Sequence, residues 1–251
     1  MSEVFDTDYA RIYDLLYQDK DYPSEAAYVS QLIRKHAPAA GAILELGSGT
    51  GKHADLLVND GFTVHGVELS EDMLKRAESF ARNGLTVSQG DVRTARLEAS
   101  FEAVISLFHV ISYLPKNDDI LQAFTTARNH LEKGGVFIFD AWYGPAVLTD
   151  RPAVRVKRIE NEAAELTRIA EPTMYADKNT VQVDFTIFLK DKTTNVIKPF
   201  SEVHHMRYVF TPEMHDLLSQ SGFDLIHTEE WMSGRPLDYD TWGACFVARA
   251  I

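Results

Sequence analysis

One cysteine, Cys245, in 251 residues leaves no partner for a disulfide within the chain and excludes a thiolate metal site. Long apolar runs are missing as well. No stretch approaches the roughly 18 consecutive apolar residues of a membrane span. The opening residues, Met1 to Tyr9, are acidic and polar, unlike a secretory signal. Positive charge is scarce: 25 Lys and Arg stand against 37 Asp and Glu, a formal net charge of −12. Such a chain has no electrostatic footprint for nucleic acid and no polybasic patch for a membrane of anionic lipid. A basic spot from Arg151 to Arg158 is too small to reverse that balance. The nine histidines are scattered and form no convincing metal cluster. Internal repeats and low-complexity segments are absent. What is present is an ordinary globular composition, 45% hydrophobic and 25% charged, large enough for one sizeable core. The expectation is a soluble, cytoplasmic protein.

One stretch organises the rest: Ile43-Leu44-Glu45-Leu46-Gly47-Ser48-Gly49-Thr50-Gly51-Lys52-His53. The apolar run Ala42 to Leu46 predicts a short buried strand. Three glycines at alternate positions follow, then a helical pattern from Lys52 to Asn59. Glycine is needed where a tight strand-to-helix turn lets a ligand lie against the backbone. The next strand, Thr63 to Val67, ends at Glu68. Glycine turn, helix, strand and carboxylate is the layout of a nucleoside site, with the acid placed for a ribose. The dinucleotide fingerprint G-x-G-x-x-G fails, because its third glycine would be Lys52, and no G-x-x-x-x-G-K-[ST] phosphate loop exists. A further strand ends at Gln89-Gly90-Asp91-Val92. An ordinary loop at Gly47 to Gly51 is the alternative, and acids at two strand ends argue against it.

Earlier in the chain, Tyr9, Tyr13 and Tyr17 recur four apart and share one helix face, either packed on the core or serving as a lid. Ser24 is the expected cap of a helix to about His36, with Pro23 just outside it. Ser70 caps the helix that carries Met73 and Leu74. Phe101 to Phe108 predicts a fourth strand, which places His109 and Tyr113 beyond its carboxyl end, where open parallel sheets bind ligands. A structural histidine is the alternative for His109. A helix from Asn117 or Asp118 to about Leu131 is expected to stop at Gly134-Gly135, and a fifth strand, Val136 to Phe139, to end at Asp140. From about 154 to 210 helical spacing gives way to alternating strands, as in Thr180 to Leu189. This insert reads as a cover over the crevice or as a sheet for a homodimer. Its His204 and His205 are reserve candidates, and as strand neighbours at most one should face the cleft. Thr211 is the expected cap of the last helix, which stops at Gly222, and Phe223–Trp231 with Trp242–Ala250 form a closing antiparallel pair. The predicted fold is α/β: a Rossmann-like, doubly wound, seven-stranded, mostly parallel sheet with an antiparallel last strand, plus an antiparallel β insert after the fifth strand. We read 1–251 as a single domain, with N-terminal lid helices over 1–37 and the insert over about 154–210.

The turn Glu45-Leu46-Gly47-Ser48-Gly49-Thr50-Gly51, with Glu68 and Asp91 behind it, resembles that of the class I S-adenosylmethionine-dependent methyltransferases. The resemblance implies S-adenosyl-L-methionine as cofactor, held along Gly47, Gly49 and Gly51. It puts Glu45 near the methionine end, Glu68 on the ribose hydroxyls, and Asp91, with Val92, at the adenine. Leu69 and Met73 would line the adenine too, with core packing the plainer role for Met73. Carboxylates suit these tasks because they only accept hydrogen bonds, and ribose hydroxyls and an amino group donate them.

Three stretches are similar to a narrower family. Tyr13-Asp14-Leu15-Leu16-Tyr17-Gln18-Asp19-Lys20-Asp21-Tyr22, Glu68 to Leu74, and Gly90-Asp91-Val92-Arg93 resemble the sugar-nucleotide amino N,N-dimethyltransferases of antibiotic deoxysugar pathways. Trp142-Tyr143-Gly144-Pro145 and the insert match more loosely. The likeness implies a small-molecule acceptor, the amino group of a nucleotide-linked amino sugar, and contacts from Tyr13 and Tyr22 to cofactor or substrate. A histidine that this family often places near the sugar amine aligns with Tyr113, and His109 lies four residues earlier. His109, Tyr113 and Tyr13 are therefore the candidate catalytic residues. Methyl transfer is an in-line displacement in which positioning contributes roughly 7–11 kcal/mol. The amine must be neutral to attack, and a histidine or a tyrosine relay can take its proton. O- or N-methylation of another small metabolite or polysaccharide precursor, and a non-catalytic S-adenosylmethionine-binding module, are the alternatives.

Overall fold

The computed structural model describes residues 12, 13 and 15–251. In chain order the elements are α1 (Tyr22–His36), β1 (Ala42–Leu46), α2 (Lys52–Asn59), β2 (Thr63–Glu68), α3 (Glu71–Ala77), β3 (Leu85–Gln89) and β4 (Phe101–Ser106). Then come α4 (Asn117–Asn129), β5 (Leu131–Tyr143), α5 (Gly144–Thr149), β6 (Arg155–Glu160), β7 (Ala164–Tyr175), β8 (Thr180–Asp191), β9 (Ile197–Val209), α6 (Thr211–Gln220), β10 (Phe223–Glu230) and β11 (Gly243–Ala250).

β3, β2, β1, β4 and β5 lie side by side and parallel, in that order. Beyond β5 runs β11, antiparallel to it, and β10 pairs with β11. The insert strands β6 to β9 form an antiparallel meander. It joins the rest through Trp142 and Tyr143, which pair in parallel with Tyr208 and Val209. Among the described residues, seven core strands and the insert thus make one continuous eleven-stranded sheet. The junction exists because β5 runs past Phe139 to Tyr143, further than its apolar run foretells.

The core strands are apolar on both sides, as helix-covered parallel strands must be. One face packs Leu44, Leu46, Phe137, Phe139 and Phe246 against Phe124 of α4 and Leu218 of α6. The other packs Ile43, Ile105, Ile138 and Val247 against Val29 and Ile33 of α1 and Leu57 of α2. A separate cluster joins Ile12, Tyr13 and Leu16 to Met73 of α3 and to Leu166 and Ile187 of the insert. It roofs the carboxyl edge of the core, so the N-terminal segment and the insert hold each other in place. Tyr9 and the rest of 1–11 lie outside the described residues, so the expected tyrosine face is seen only as Tyr13 against Tyr17, with ring centroids 4.7 Å apart.

Several boundaries differ from expectation for local reasons. Asp21, not Ser24, caps α1, accepting from the Ser24 amide at 3.1 Å, and Pro23 sits in the first turn, where no N–H is needed. Thr211 is the first residue of α6 rather than its cap. β4 ends at Ser106, because Phe108 and His109 both adopt positive φ, 64° and 63°. α4 ends at Asn129, and Gly134-Gly135 fall inside β5. A Cβ on Gly135 would come within 2.9 Å of the Glu102 carbonyl oxygen, so this is a close strand approach and not a helix stop. Among the described residues no helix is long and apolar enough to cross a membrane.

Candidate active site

A cleft of about 790 Å³ opens at the carboxyl ends of β1, β2 and β4 and is closed from above by the N-terminal segment and the insert. Its floor is the glycine turn. Gly47, Gly49 and Gly51 take φ of +80°, +55° and +78°, conformations that side chains rarely adopt. The amides of Gly47 and Ser48 both donate to the Val67 carbonyl, at 2.8 and 3.1 Å. A Cβ at Gly47 would sit 2.7 Å from Val110, whereas nothing lies within 4 Å of one at Gly49, which faces open space. Gly51 does not line the cleft: it is the N-cap of α2, and a Cβ there would press on Ala77 of α3 at 3.1 Å.

Glu68, at the end of β2, closes the turn. Its carboxylate accepts from the Gly49 amide at 2.7 Å and the Ser70 amide at 2.8 Å. Burial raises its pKa, and those amides pull it back. Asp91 lines the cleft beyond it and is gripped by Arg93, whose Nε lies 2.9 and 3.1 Å from the two oxygens. That ion pair holds the Asp91 carboxyl below its usual range. Arg93 also reaches Asp119 at 3.0 Å. Leu69 and Val92 border the same region, Leu69 being 47% exposed and so available to a flat ring. Met73 serves both readings, since it is buried in the roof cluster and touches the cleft. Glu45 stands apart. It is buried behind the turn, does not line the cleft, and has a carboxylate oxygen without a hydrogen-bond partner among the described residues. Burial first, and the neighbouring charge of Glu68 second, push its pKa up to about 8.

Tyr13, Tyr17 and Tyr22 form the near wall. Tyr17 meets Phe108 edge-on at 5.1 Å, and Lys52 lies over the Tyr22 ring at 5.0 Å. The far wall carries two side-chain pairs. His109 Nδ1 lies 2.6 Å from Asp140 Oδ2, a close contact at an angle poor for a hydrogen bond. The His109 amide also donates to both Asp140 oxygens, at 3.2 and 3.1 Å, which braces the left-handed turn. Asp140 itself is almost wholly buried. Facing this pair, the Tyr113 hydroxyl is 2.8 Å from His204 Nδ1, and His204 Nε2 is 2.8 Å from Glu202. Burial keeps the Tyr113 phenol well above its ordinary pKa, so the phenol stays protonated beside the imidazole. Both His204 and His205 border the cleft, against the expectation of one: His204 is buried in this relay, while His205 is exposed where β9 crosses the rim.

Of the candidate cofactor and catalytic residues, all but Glu45 and Gly51 therefore line one cleft. Sequence reasoning missed Asp140, Glu202 and Arg168 as site residues. Asp140 carried a usable signal, because it is an acid at the carboxyl side of a core strand, like Glu68. The site fits a cationic nucleoside: open backbone at Gly49, an acceptor at Glu68, and aromatic rings opposite. Among the described residues no group of three or more His, Cys, Asp or Glu is arranged for a metal ion.

Comparison with known proteins matches this geometry. Residues 43–135 match the family model described as a methyltransferase domain. The chain is 30% identical over 236 residues to the dTDP-3-amino-3,4,6-trideoxy-alpha-D-glucopyranose N,N-dimethyltransferase of Streptomyces venezuelae, covering 93% of this chain and 98% of that one. The crystal structure of Streptomyces venezuelae DesVI superposes with a TM-score of 0.81 at 28% identity, over 98% of this chain and 100% of the other. SAM-bound CalS10, an amino pentose methyltransferase from Micromonospora echinaspora, superposes with a TM-score of 0.78 at 25% identity, over 100% of both chains.

Proposed function

The chain belongs to the class I S-adenosylmethionine-dependent methyltransferases, and from that premise we propose that it methylates the amino group of a nucleotide-linked amino sugar. The observation that carries the acceptor is the reach of the similarity. It spans 93% of the chain, insert included, and not only the 43–135 segment that holds the glycine turn. The insert, about 154–210, is then the cover of the acceptor side of a single domain, since its inner face lines the cleft.

S-adenosylmethionine supplies an electrophilic methyl carbon on its sulfonium. The residues around it contribute position and proton handling. Glu68 would take the ribose hydroxyls on the lone pairs that its two backbone amides leave free. Asp91, kept ionised by Arg93, retains a lone pair for the adenine amino group. Gly47 and Gly49 let the donor lie on the backbone, with Leu69, Met73 and Val92 around its base. Tyr13 and Tyr22 close over the reacting end and exclude water. His109, oriented by Asp140, is placed to take the proton that the amine loses. Tyr113, backed by His204 and Glu202, holds the acceptor from the other side.

The test is a methyl-transfer screen with nucleotide-linked 3-amino and 4-amino sugars, their hydroxyl counterparts, and unrelated small amines, read by mass spectrometry. Mono- and dimethylated amino sugars are expected. Turnover confined to hydroxyl acceptors or unrelated amines would overturn the acceptor assignment. Cofactor binding without turnover of any acceptor would favour a binding module.

A further inference from the structure

The turn after β4 is strained at two consecutive residues. Phe108 and His109 take φ of 64° and 63°, and neither is glycine. Bulky side chains hold that conformation only where their surroundings impose it. His109 is constrained through its backbone: its amide donates to Asp140, and its carbonyl accepts from the Ser112 amide at 2.9 Å. Phe108 is constrained through its ring. Leu107, just before it, packs in the core with Ile43 and Ile105, whereas Phe108 packs against the roof cluster of Tyr13, Leu16 and Met73. The chain thus crosses from core to roof between neighbours, and the ring is what the roof holds.

Two contacts fix that ring. The Lys20 ammonium lies over it, 4.1 Å from its centroid, and Tyr17 packs at nearly a right angle with centroids 5.1 Å apart. The same ammonium is 5.0 Å from the Tyr22 ring. Lys20 is itself clamped. It pairs with Glu25 of α1, and Glu25 meets His53 Nε2 of α2 at 2.8 Å. Burial would raise the Glu25 pKa, but His53 and Lys20 outweigh it and hold the carboxyl below its usual range. The Lys20 and Glu25 side chains are only 10% and 14% exposed, so the cation sits over Phe108 largely out of water, where such a contact is stronger. Lys20 does not line the cleft, whereas His53, just behind the glycine turn, does. A row of contacts therefore runs from α2 through Glu25, Lys20 and Phe108 to His109, whose imidazole lies 5.8 Å from the Phe108 ring.

We propose that Phe108 is a positioning residue for His109, and that Lys20, clamped by Glu25, anchors it. The inference rests on the assignment of His109 as proton acceptor above and names what keeps its imidazole in place. Asp140 restrains that imidazole from the core side, since it is buried and lies against both the ring and the amide. On the roof side the turn would be free to relax toward ordinary φ. The Phe108 ring closes that route. With Lys20 over its face and Tyr17 packed across it, residue 108 cannot leave positive φ without giving up both contacts. A base must hold its nitrogen within hydrogen-bond reach of the reacting amine, and a displacement of about 1 Å can cost about a hundredfold in rate. Tyr17 and Lys20 belong to the N-terminal segment, so the roof that excludes water also fixes the base.

Three substitutions in the full chain test this. Phe108→Leu keeps apolar bulk and removes the aromatic face. Lys20→Met keeps the stem and removes the cation. Phe108→Gly suits the positive φ but has no ring. Each should lower kcat at saturating substrates by about tenfold, with S-adenosylhomocysteine affinity by calorimetry within about threefold of wild type. A double-mutant cycle separates positioning from roofing: on a His109→Ala background the same substitutions should change kcat by less than about twofold, because no base is left to position. An equal loss in both backgrounds would mean that the ring serves the roof alone, and would overturn the proposal. Wild-type kcat in any of the three, or a Lys20→Met enzyme that loses cofactor affinity but not kcat, would overturn it too. A second readout needs no acceptor. In NMR spectra of the enzyme saturated with S-adenosylhomocysteine, the His109 imidazole signal, identified by its loss in His109→Ala, should move or broaden in all three variants. An unmoved signal in an active enzyme puts the error in the role of Phe108. A moved signal in an enzyme that methylates no acceptor puts it in the proposed function.

Discussion

The glycine turn and the inner face of the insert confront each other across one cleft, yet they are built by different means. The turn is made of backbone: three positive φ values, amides donating to a carbonyl, and one carboxylate from 19 residues further along. The insert presents side chains whose partners lie far off in sequence, such as Tyr113 with His204, 91 residues apart. A wall of backbone admits almost no substitution but suits one invariant ligand. A wall of side chains on a β meander can change its chemistry without touching the hydrogen bonds that hold it. On the function proposed above, the donor belongs to the turn and the acceptor to the insert, and each substitution below should damage one and spare the other.

Gly47→Ala should have the largest effect. Alanine there meets both a positive φ and the Val110 methyls, at 2.7 and 2.8 Å. A cost of about 2–3 kcal/mol, which is about a hundredfold in cofactor affinity, is expected if the turn distorts to relieve it. Calorimetry with S-adenosylhomocysteine, with thermal unfolding as control, measures it. Wild-type affinity would mean that the turn is not the donor's wall. Next comes His109→Ala, which should lower kcat by about a hundredfold, the low end of general-base effects, since positioning does most of the work. Cofactor affinity should hold within about twofold. Equal loss of both would move His109 to the donor side.

The same division explains what could be read in advance. β1, α2 and β2 were legible to within a residue, because their signals are local: an apolar run, alternate glycines, a helical period. Glu68 and Asp91 followed from one rule about strand ends. The pairing of His109 with Asp140 depends on β4 and β5 lying side by side, and that of Tyr113 with Glu202 and His204 on the register of β9. Neither leaves a trace in local spacing. Even so, the strand-end rule that found Glu68 applies equally to Asp140. Where local signals competed, they misled: Asp21 and Ser24 both suit a cap, and the diglycine at Gly134 looked like a helix stop while serving a crowded strand pairing.

Glu68→Gln should weaken cofactor binding by about tenfold, the worth of a charge-assisted hydrogen bond. The amide nitrogen of glutamine would also face the Gly49 or Ser70 N–H, donor against donor. Acceptor binding to the cofactor-saturated enzyme should not change. A shift in acceptor KM at saturating cofactor would show that the two walls are coupled.

The smallest effect sharpens the boundary of the donor wall itself. Glu45 belongs to the glycine motif by sequence but lies behind the turn, with burial and the charge of Glu68 raising its pKa from 4.5 to about 8. Across that interval the folded state holds a proton that the unfolded chain has released, so stability falls as pH rises. The contribution is fully present below pH 4.5 and is lost as pH climbs through about 8. Glu45→Gln keeps a neutral group of the same shape and removes this dependence. Its Tm should gain on the wild type by several degrees between pH 5 and pH 8.5, since about 1 kcal/mol moves a chain of this size by about 2–4 °C. Cofactor affinity at pH 7 should change by less than about threefold, against tenfold at Glu68, because an uncharged Glu45 lends no charge to a sulfonium. Parallel Tm curves would mean that Glu45 is ionised in the folded protein, and a cofactor loss as large as that at Glu68 would return it to the binding wall.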